Sequence, residues 1–230
     1  MTALDSIAEN VRAIRAAIAA AKPDGGAVVL VAATKMNDAD RVRAAIAAGV
    51  DACGENKVQE FLEKDALGAY DGCPKHFIGH LQRNKVNKLV GRVDLIQSVD
   101  SEELLALIER RAAALACVQD ILIEISVAGE TQKSGIPPAA LPALLEAASR
   151  CPHVRVRGLM CVPPVQADGG SNRPYFSLMH QLFVDNSCKK YDNVFMDFLS
   201  MGMTDDYTDA VAEGANMVRI GSAIFGRRQY

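Results

Sequence analysis

The chain has 230 residues, about half of them apolar, and a formal net charge of −3. This length is enough for one sizeable hydrophobic core. The charge excludes the basic footprint of a nucleic-acid-binding protein, and no apolar run reaches the length of a membrane span. The six cysteines are scattered, without a CxxC pair, which predicts buried thiols in a reducing cytoplasm. A disulfide-linked secreted protein is the alternative.

The first predicted element is an amphipathic helix. Its apolar residues recur at steps of three and four positions: Leu4, Ile7, Val11, Ile14 and Ile18. Acids and arginines separate them, so this segment is not expected to be a signal peptide. A buried strand follows the helix and ends just before Lys35.

Strands and helical patterns then alternate to the end of the chain. The predicted strands span residues 28–34, 50–55, 75–80, 93–99, 120–127, 154–161, 194–201 and 217–221. A helical pattern follows each strand. In chain order, the first two patterns end near residues 48 and 67, the next two span 84–91 and 101–116, the fifth begins at 137, the next two span 173–187 and 204–213, and the last is a short segment. This alternation predicts an α/β protein with a single (β/α)₈ TIM-type barrel domain over residues 1–230 and an extra N-terminal helix. An open doubly wound sheet is the alternative, and the loop at 163–174 is expected to be the most mobile segment.

Lys35 stands where the first predicted strand ends. In a barrel of this type the active site lies at the carboxyl ends of the strands. A lysine amine attacks carbonyl groups only when it is unprotonated, and burial or neighbouring cations favour that state. Lys35 is therefore a candidate Schiff-base nucleophile. Taken alone, the same position also suits a solvated or ion-paired lysine.

Small and hydroxyl-bearing residues lie at the ends of the seventh and eighth predicted strands. Ser200, Gly202 and Thr204 end the seventh, and Gly221 and Ser222 end the eighth. Glycine lets the backbone approach an anion, hydroxyls donate to it, and these two loops commonly bind phosphate in this fold. Together with the strand-one lysine they predict a phosphorylated carbonyl compound as the ligand, although each piece also suits an ordinary turn.

Two more residues are candidates for ligand contact. Arg219 lies on the same strand face as Gly221. If that face lines the barrel, Arg219 is a buried cation that would keep a pyridine nitrogen unprotonated. Pairing with a carboxylate such as Glu124 or Asp197 is the alternative. Asn56 has a side chain that can bind a ligand oxygen or cap the helix that follows.

Two further patterns are less specific. His76 and His80 are placed on one side of a strand, and no third ligand has the spacing of a metal site. They are interpreted as a structural pair or as rings that stack near a ligand. The basic stretch 83–88 is either a second anion site or a solvated helix face.

Eight segments of the chain occur in a characteristic order. They are LVAATK, GENKVQE, HFIGHLQRNK, IQSVDS, KSGIPP, GLMCVPP, LSMGMTDD and VRIGSAIFGRR. Together they resemble the pyridoxal phosphate homeostasis protein family, from about residue 5 to residue 228. That family resembles the barrel domain of alanine racemase standing alone, without the second, β-rich domain. Lys57, Thr204 and Ser222 depart from the residues that are frequent at their positions.

The resemblance implies roles for individual residues. Lys35 would form the internal aldimine with pyridoxal 5′-phosphate, Arg219 would face the pyridine nitrogen, and Asn56 would lie near the cofactor. The phosphate-binding positions would be Ser200, Gly221 and Ser222, with the turn from Gly202 to Thr204 beside them.

The function implied by the resemblance is to bind pyridoxal phosphate, buffer it and deliver it to apo-enzymes without substantial turnover. The mixed surface charge, without an obvious apolar seam, predicts a monomer. A two-base racemase needs a second acid–base group, and eight strand–helix units leave no chain to supply it. A weak amino-acid racemase or a lysine Schiff-base aldolase is the alternative. A second lysine or a pair of carboxylates facing Lys35 would favour the aldolase.

Overall fold

The computed structural model describes residues 3–22, 25–128, 134–164, 170–188 and 191–226. Its strands are β1 (Val29–Ala33), β2 (Ala52–Glu55), β3 (Lys75–Phe77), β4 (Leu95–Val99), β5 (Gln119–Glu124), β6 (Val154–Met160), β7 (Val194–Ser200) and β8 (Met217–Ile220). They are parallel and form a closed barrel in chain order, in which β1 pairs with both β2 and β8.

Helices surround this barrel. They are α1 (Ala3–Ala21), α2 (Ala39–Ala47), α3 (Val58–Ala66), α4 (Val86–Leu89), α5 (Glu102–Ala114), α6 (Leu141–Ser149), α7 (Arg173–Ser187), α8 (Tyr207–Ala212) and α9 (Ser222–Phe225). Short 3-10 turns precede α4 and α6. The predicted TIM-type barrel with an extra N-terminal helix is confirmed, and every strand boundary lies within about three residues of its prediction.

Polar side chains start two of these helices. The side chain of Asp38 accepts from the Arg41 N–H at 2.9 Å, and the Ser101 hydroxyl accepts from the Leu104 N–H at 3.3 Å. Each satisfies a backbone donor that has no partner within its own helix. Asn56 does not act in this way, because the N-cap residue of α3 is Lys57 and no side chain accepts a hydrogen bond at this helix start. The capping interpretation of Asn56 is therefore wrong.

Two layers of apolar side chains pack on the sheet. The larger lies between the strands and the helices. The smaller fills the barrel interior and contains Val31, Ala52, Leu95, Leu122, Met160 and Met217. Glu124 and Arg219 lie two residues beyond Leu122 and Met217 on the same strand faces, so both point inward near the barrel mouth.

The structure describes only part of the predicted mobile loop, because residues 165–169 lie outside the described residues. In the described ranges, no helix is both long and apolar enough to cross a membrane. Those same ranges bring together no three histidine, cysteine, aspartate or glutamate side chains in a metal-binding arrangement.

Candidate active site at the barrel mouth

Lys35 lies at the mouth of the barrel, two residues after the end of β1. Its side chain is half-buried, and its amine has no hydrogen bond or ion pair with any residue that the structure describes. Such an amine is available to a ligand. Met36, the next residue, has a φ of 61°, a left-handed conformation that is uncommon for residues other than glycine.

The backbone on both sides of Lys35 is held by side chains from α3. The Thr34 carbonyl accepts a hydrogen bond from Lys64 Nζ at 2.7 Å, and the Met36 N–H donates to the Glu60 carboxylate. These contacts hold the chain on either side of Lys35 and fix the point from which its side chain projects. The amino-acid sequence alone does not predict this arrangement.

Lys64 is a buried cation with two carboxylate partners. Its side chain is only 7% exposed, and its amine lies 2.8 Å from Glu55 and 2.7 Å from Glu60. The Thr34 hydroxyl also donates to Glu55, at 3.0 Å. A buried charge is tolerated when paired and hydrogen-bonded in this way. The network is a rigid support below the Lys35 turn.

Arg219 lies on β8, the strand that pairs with β1, and is 4% exposed. It donates from Nη1 to the Ser200 hydroxyl at 2.6 Å and from Nη2 to the Cys161 carbonyl at 2.8 Å. No carboxylate of the described chain accepts a hydrogen bond from it. The pairing of Arg219 with Glu124 or Asp197 is therefore wrong, and Asp197 instead pairs with Arg157.

A chain of polar side chains continues from Arg219 through the barrel interior. The Ser200 hydroxyl donates to Gln97 Oε1 at 2.7 Å, and Gln97 Nε2 lies 3.0 Å from His76 Nδ1. Burial lowers the pKa of His76 to about 4, so this ring is a neutral acceptor near pH 7. Ser200 is fully buried, and its hydroxyl accepts a hydrogen bond from Arg219. The binding of a phosphate group by Ser200 therefore stays a prediction.

The two predicted histidine partners do not lie together. His76 is buried on β3, whereas His80 follows the strand, is 58% exposed and has its Nδ1 3.6 Å from Asp100. The strand ends early because Gly79 packs directly on the backbone of Asn56. A Cβ at Gly79 would come within 2.2 Å of the Asn56 carbonyl oxygen. The placement of both histidines on one side of a strand is therefore wrong.

The loops after β7 and β8 meet beside β1. The Ser222 hydroxyl donates to Thr204 Oγ1 at 3.2 Å, which joins the two loops. Gly202 has a φ of 90°, and a Cβ there would lie 2.6 Å from the side chain of Ala210. Gly221 lies close against Ala33, the last residue of β1. The structure thus brings the predicted small and hydroxyl-bearing residues next to the Lys35 turn.

Two buried oxygen atoms at the mouth have no hydrogen-bond partner in the described chain. They are Asn56 Oδ1 and Glu124 Oε2. Burial raises the pKa of Glu124 to about 7, with a further increase from Asp100 and a decrease from Arg219. An unsatisfied buried polar atom is costly, and in native proteins such atoms concentrate where a ligand or water completes the bonding. Both oxygens therefore indicate a binding site.

Comparison with known proteins identifies the family. The profile of the family described as alanine racemase, N-terminal domain, matches residues 2–229. The pyridoxal phosphate homeostasis protein of Aquifex aeolicus is 43% identical over 202 residues, which are 87% of each chain. The protein of that name from Pseudomonas aeruginosa is 39% identical over 230 residues, 100% of this chain and 97% of that one. This chain belongs to the pyridoxal phosphate homeostasis protein family.

A solved structure of a family member shares the fold. PipY of Synechococcus elongatus PCC7942, solved with PLP bound, is 32% identical to this chain. The TM-score is 0.84, and the match covers 96% of this chain and 100% of PipY. The closed barrel described above is therefore the fold of a family member that holds this cofactor.

Two features of the site, the Glu60–Lys64 pair and the buried Gln97, were not predicted, although the sequence contains a local sign of each. Glu60 and Lys64 are four residues apart, so they share one face of a helix. Gln97 is a large polar residue in the buried run LIQSV of β4, which is typical of a buried hydrogen-bonding role. Neither sign reveals the partner, because Thr34 and Ser200 come from distant parts of the chain.

Proposed function

We propose that this protein binds pyridoxal 5′-phosphate at the barrel mouth, buffers it and delivers it to apo-enzymes, without substantial turnover. The observation that carries the proposal is the half-buried, unpartnered amine of Lys35, held beside the hydroxyl-lined loops after β7 and β8. The family membership and the PLP-bound PipY structure support the choice of cofactor.

The residues present fit the three parts of the cofactor. Pyridoxal phosphate supplies an aldehyde that a lysine amine can bind covalently, a phosphate dianion and a pyridine ring. Lys35 would hold the aldehyde, and Thr204, Gly221 and Ser222 would hold the phosphate. The orphaned oxygen of Asn56 would accept a hydrogen bond from the ring substituents.

Arg219 is the main reason to propose low turnover. A guanidinium donates hydrogen bonds and is protonated in practice, although burial lowers the pKa of Arg219. It would donate to a pyridine nitrogen and leave that nitrogen without a proton of its own. An unprotonated ring withdraws electrons weakly, so carbanion chemistry on it would be slow.

Other parts of the proposal rest on the chain as a whole. We propose a single domain over residues 1–230 and a monomer, with apo-enzymes as transient partners. All six cysteines are free, which supports the reducing environment of the cytoplasm.

The first test is the visible absorbance spectrum of the protein with added pyridoxal phosphate. The wild type is expected to gain the absorbance band of a lysine-bound pyridoxal, and borohydride should fix the cofactor to the peptide that contains Lys35. Lys35→Ala should lack the band, and Lys22→Ala, which changes a lysine at the end of α1, should retain it. A band unchanged in Lys35→Ala would overturn the site.

A second assay addresses turnover. Racemisation of alanine by the loaded protein is expected to be far slower than about 1 per second, the lower end of typical enzymes. Turnover within the range of typical enzymes would show that the protein is a racemase and would contradict the proposed carrier function.

A further inference from the structure

A cavity of about 300 Å³ opens beside the mouth, between the start of α3 and the turn that leads into α4. Its lining residues are Asn56, Lys57, Val58, Gln59, His80, Gln82, Lys85 and Lys88. The volume is at the lower end of the range for small-molecule sites. None of the lining residues is acidic, so the walls carry only neutral and positive groups.

The three lysines of this cavity have no counter-charge. The side-chain amines of Lys57, Lys85 and Lys88 make no ion pair or hydrogen bond to any part of the chain that the structure describes. By contrast, Lys64 and Lys75 are each paired with carboxylates. Three unpaired cations that converge on one concavity raise the local concentration of anions.

Backbone donors add to the positive wall. The N-terminus of α3 has no side-chain cap, and the N–H groups of Val58 and Gln59 have no acceptor among the described residues. Both residues line the cavity. Free N–H groups at the start of a helix interact favourably with a negative charge.

We propose that this cavity is a second anion site, which binds the phosphate group of a small phosphomonoester. A phosphate dianion matches three lysines and two free N–H groups in charge and in hydrogen-bond acceptors. Asn56 borders both the cavity and the mouth, so a phosphomonoester bound here would lie next to the site around Lys35. The proposal does not depend on what Lys35 binds.

The test uses protein in which borohydride reduction has first linked pyridoxal phosphate covalently to Lys35, so that the mouth is blocked. Pyridoxine 5′-phosphate, which has no aldehyde, is then titrated by calorimetry at low ionic strength, and inorganic phosphate is titrated in parallel. Failure to label Lys35 would count against the proposed function alone, and the same titrations would then be made on untreated protein.

Two triple variants with the same change in net charge distinguish binding in the cavity from nonspecific attraction of anions by the charge of the whole protein. The cavity variant is Lys57→Gln, Lys85→Gln, Lys88→Gln, and the control variant is Arg12→Gln, Arg92→Gln, Arg110→Gln. The control arginines are exposed and lie outside the cavity. Matching unfolding curves would establish that both variants are folded.

The cavity variant is expected to bind pyridoxine 5′-phosphate at least about tenfold more weakly than the control variant does. Cavity-dependent binding of inorganic phosphate with equal affinity would show that the phosphate group alone is recognised, and weaker binding would show that the rest of the phosphomonoester contributes. Equal weakening in both variants, or no binding by the unmodified cavity, would overturn the proposal and leave a solvated basic face.

Discussion

Two buried cations lie near the barrel mouth, Lys64 on α3 and Arg219 on β8, and their surroundings differ. Lys64 lies between Glu55 and Glu60, with both carboxylates within 2.8 Å of its amine. Arg219 is buried to a similar degree but has only a hydroxyl and a peptide carbonyl as hydrogen-bond partners. Lys64 is therefore ion-paired within the protein, whereas Arg219 makes no ion pair with the residues that the structure describes.

The difference separates a structural role from a binding role. Breaking a buried ion pair is costly, because the remaining charge loses its partner in a poorly solvating interior. A buried charge without a counter-charge costs free energy throughout the lifetime of the fold, and such groups concentrate at functional sites. Lys64 thus holds the Lys35 turn in place, and Arg219 provides a polar wall toward which a ligand can bind.

The largest expected effect comes from removal of the paired cation. Lys64→Met leaves Glu55 and Glu60 buried without their partner and should lower the free energy of unfolding by about 3–5 kcal/mol. Urea denaturation of the cofactor-free protein measures this. Lys75→Met is the control, because its pair with Asp65 is about 30% exposed and should contribute less than about 1 kcal/mol. Equal losses in the two variants would contradict a special role for Lys64.

The next effect depends on pH and concerns Glu124, beside Arg219. Its pKa is raised from 4.5 to about 7, so the folded state holds this proton more tightly than the unfolded state. Stability is therefore lost as pH rises from about 4.5 to about 7. Glu124→Gln should be more stable than the wild type by up to about 3 kcal/mol near pH 8 and about equal near pH 4.

Urea denaturation at several pH values measures this difference. Glu146→Gln is the matched control, because Glu146 is exposed and paired only with Arg150. The control should show no comparable dependence. A constant difference between Glu124→Gln and the wild type across the pH range would show that folding does not shift the pKa of Glu124.

A smaller effect is expected from removal of the unpaired cation. Arg219→Met gives up two hydrogen bonds but also removes a desolvated charge, so the cofactor-free protein should change in stability by only about 1 kcal/mol. The same variant should raise the pKa of Glu124, because Arg219 lowers it. A loss as large as that of Lys64→Met would erase the contrast between the two cations.

The smallest effect on stability is expected at the loop after β8. Ser222→Ala removes an exposed hydroxyl and its bond to Thr204, which should cost about 0.5 kcal/mol. Its affinity for pyridoxal phosphate should nevertheless fall about tenfold, since a hydrogen bond to a charged group contributes about 1.5 kcal/mol. Absorbance titration measures this, with Ser187→Ala on α7 as the control. Unchanged affinity would remove Ser222 from the phosphate site.

The fold was predictable because hydrophobic periodicity repeats along the chain, and the same reasoning located Lys35 and the loops after β7 and β8. The predictions that were wrong depended on contacts between residues that are distant in the sequence. The third strand was predicted to reach residue 80, but the close approach of Gly79 to Asn56 ends it at Phe77. His80 therefore lies beyond the strand that holds His76.

The partners of buried charges were equally hard to predict. A sequence shows that Arg219 and Glu124 lie on strands, but the partner of a guanidinium depends on barrel stagger and on side-chain length. In the structure Ser200 and the Cys161 carbonyl take the place expected for a carboxylate. Likewise, nothing local to Lys64 predicts that its amine reaches the carbonyl of Thr34.

The pairing of β1 with β8 has a consequence for the newly made protein. Val31 is aligned with Arg219 across this seam, so the strand that leads to Lys35 is completed by the last strand of the barrel. A ribosome releases the lysine long before it releases the arginine and the loop that follows β8. A nascent chain therefore carries the Lys35 amine before Arg219 and the loop after β8 have been made, so the proposed ligand site is complete only when synthesis is nearly finished.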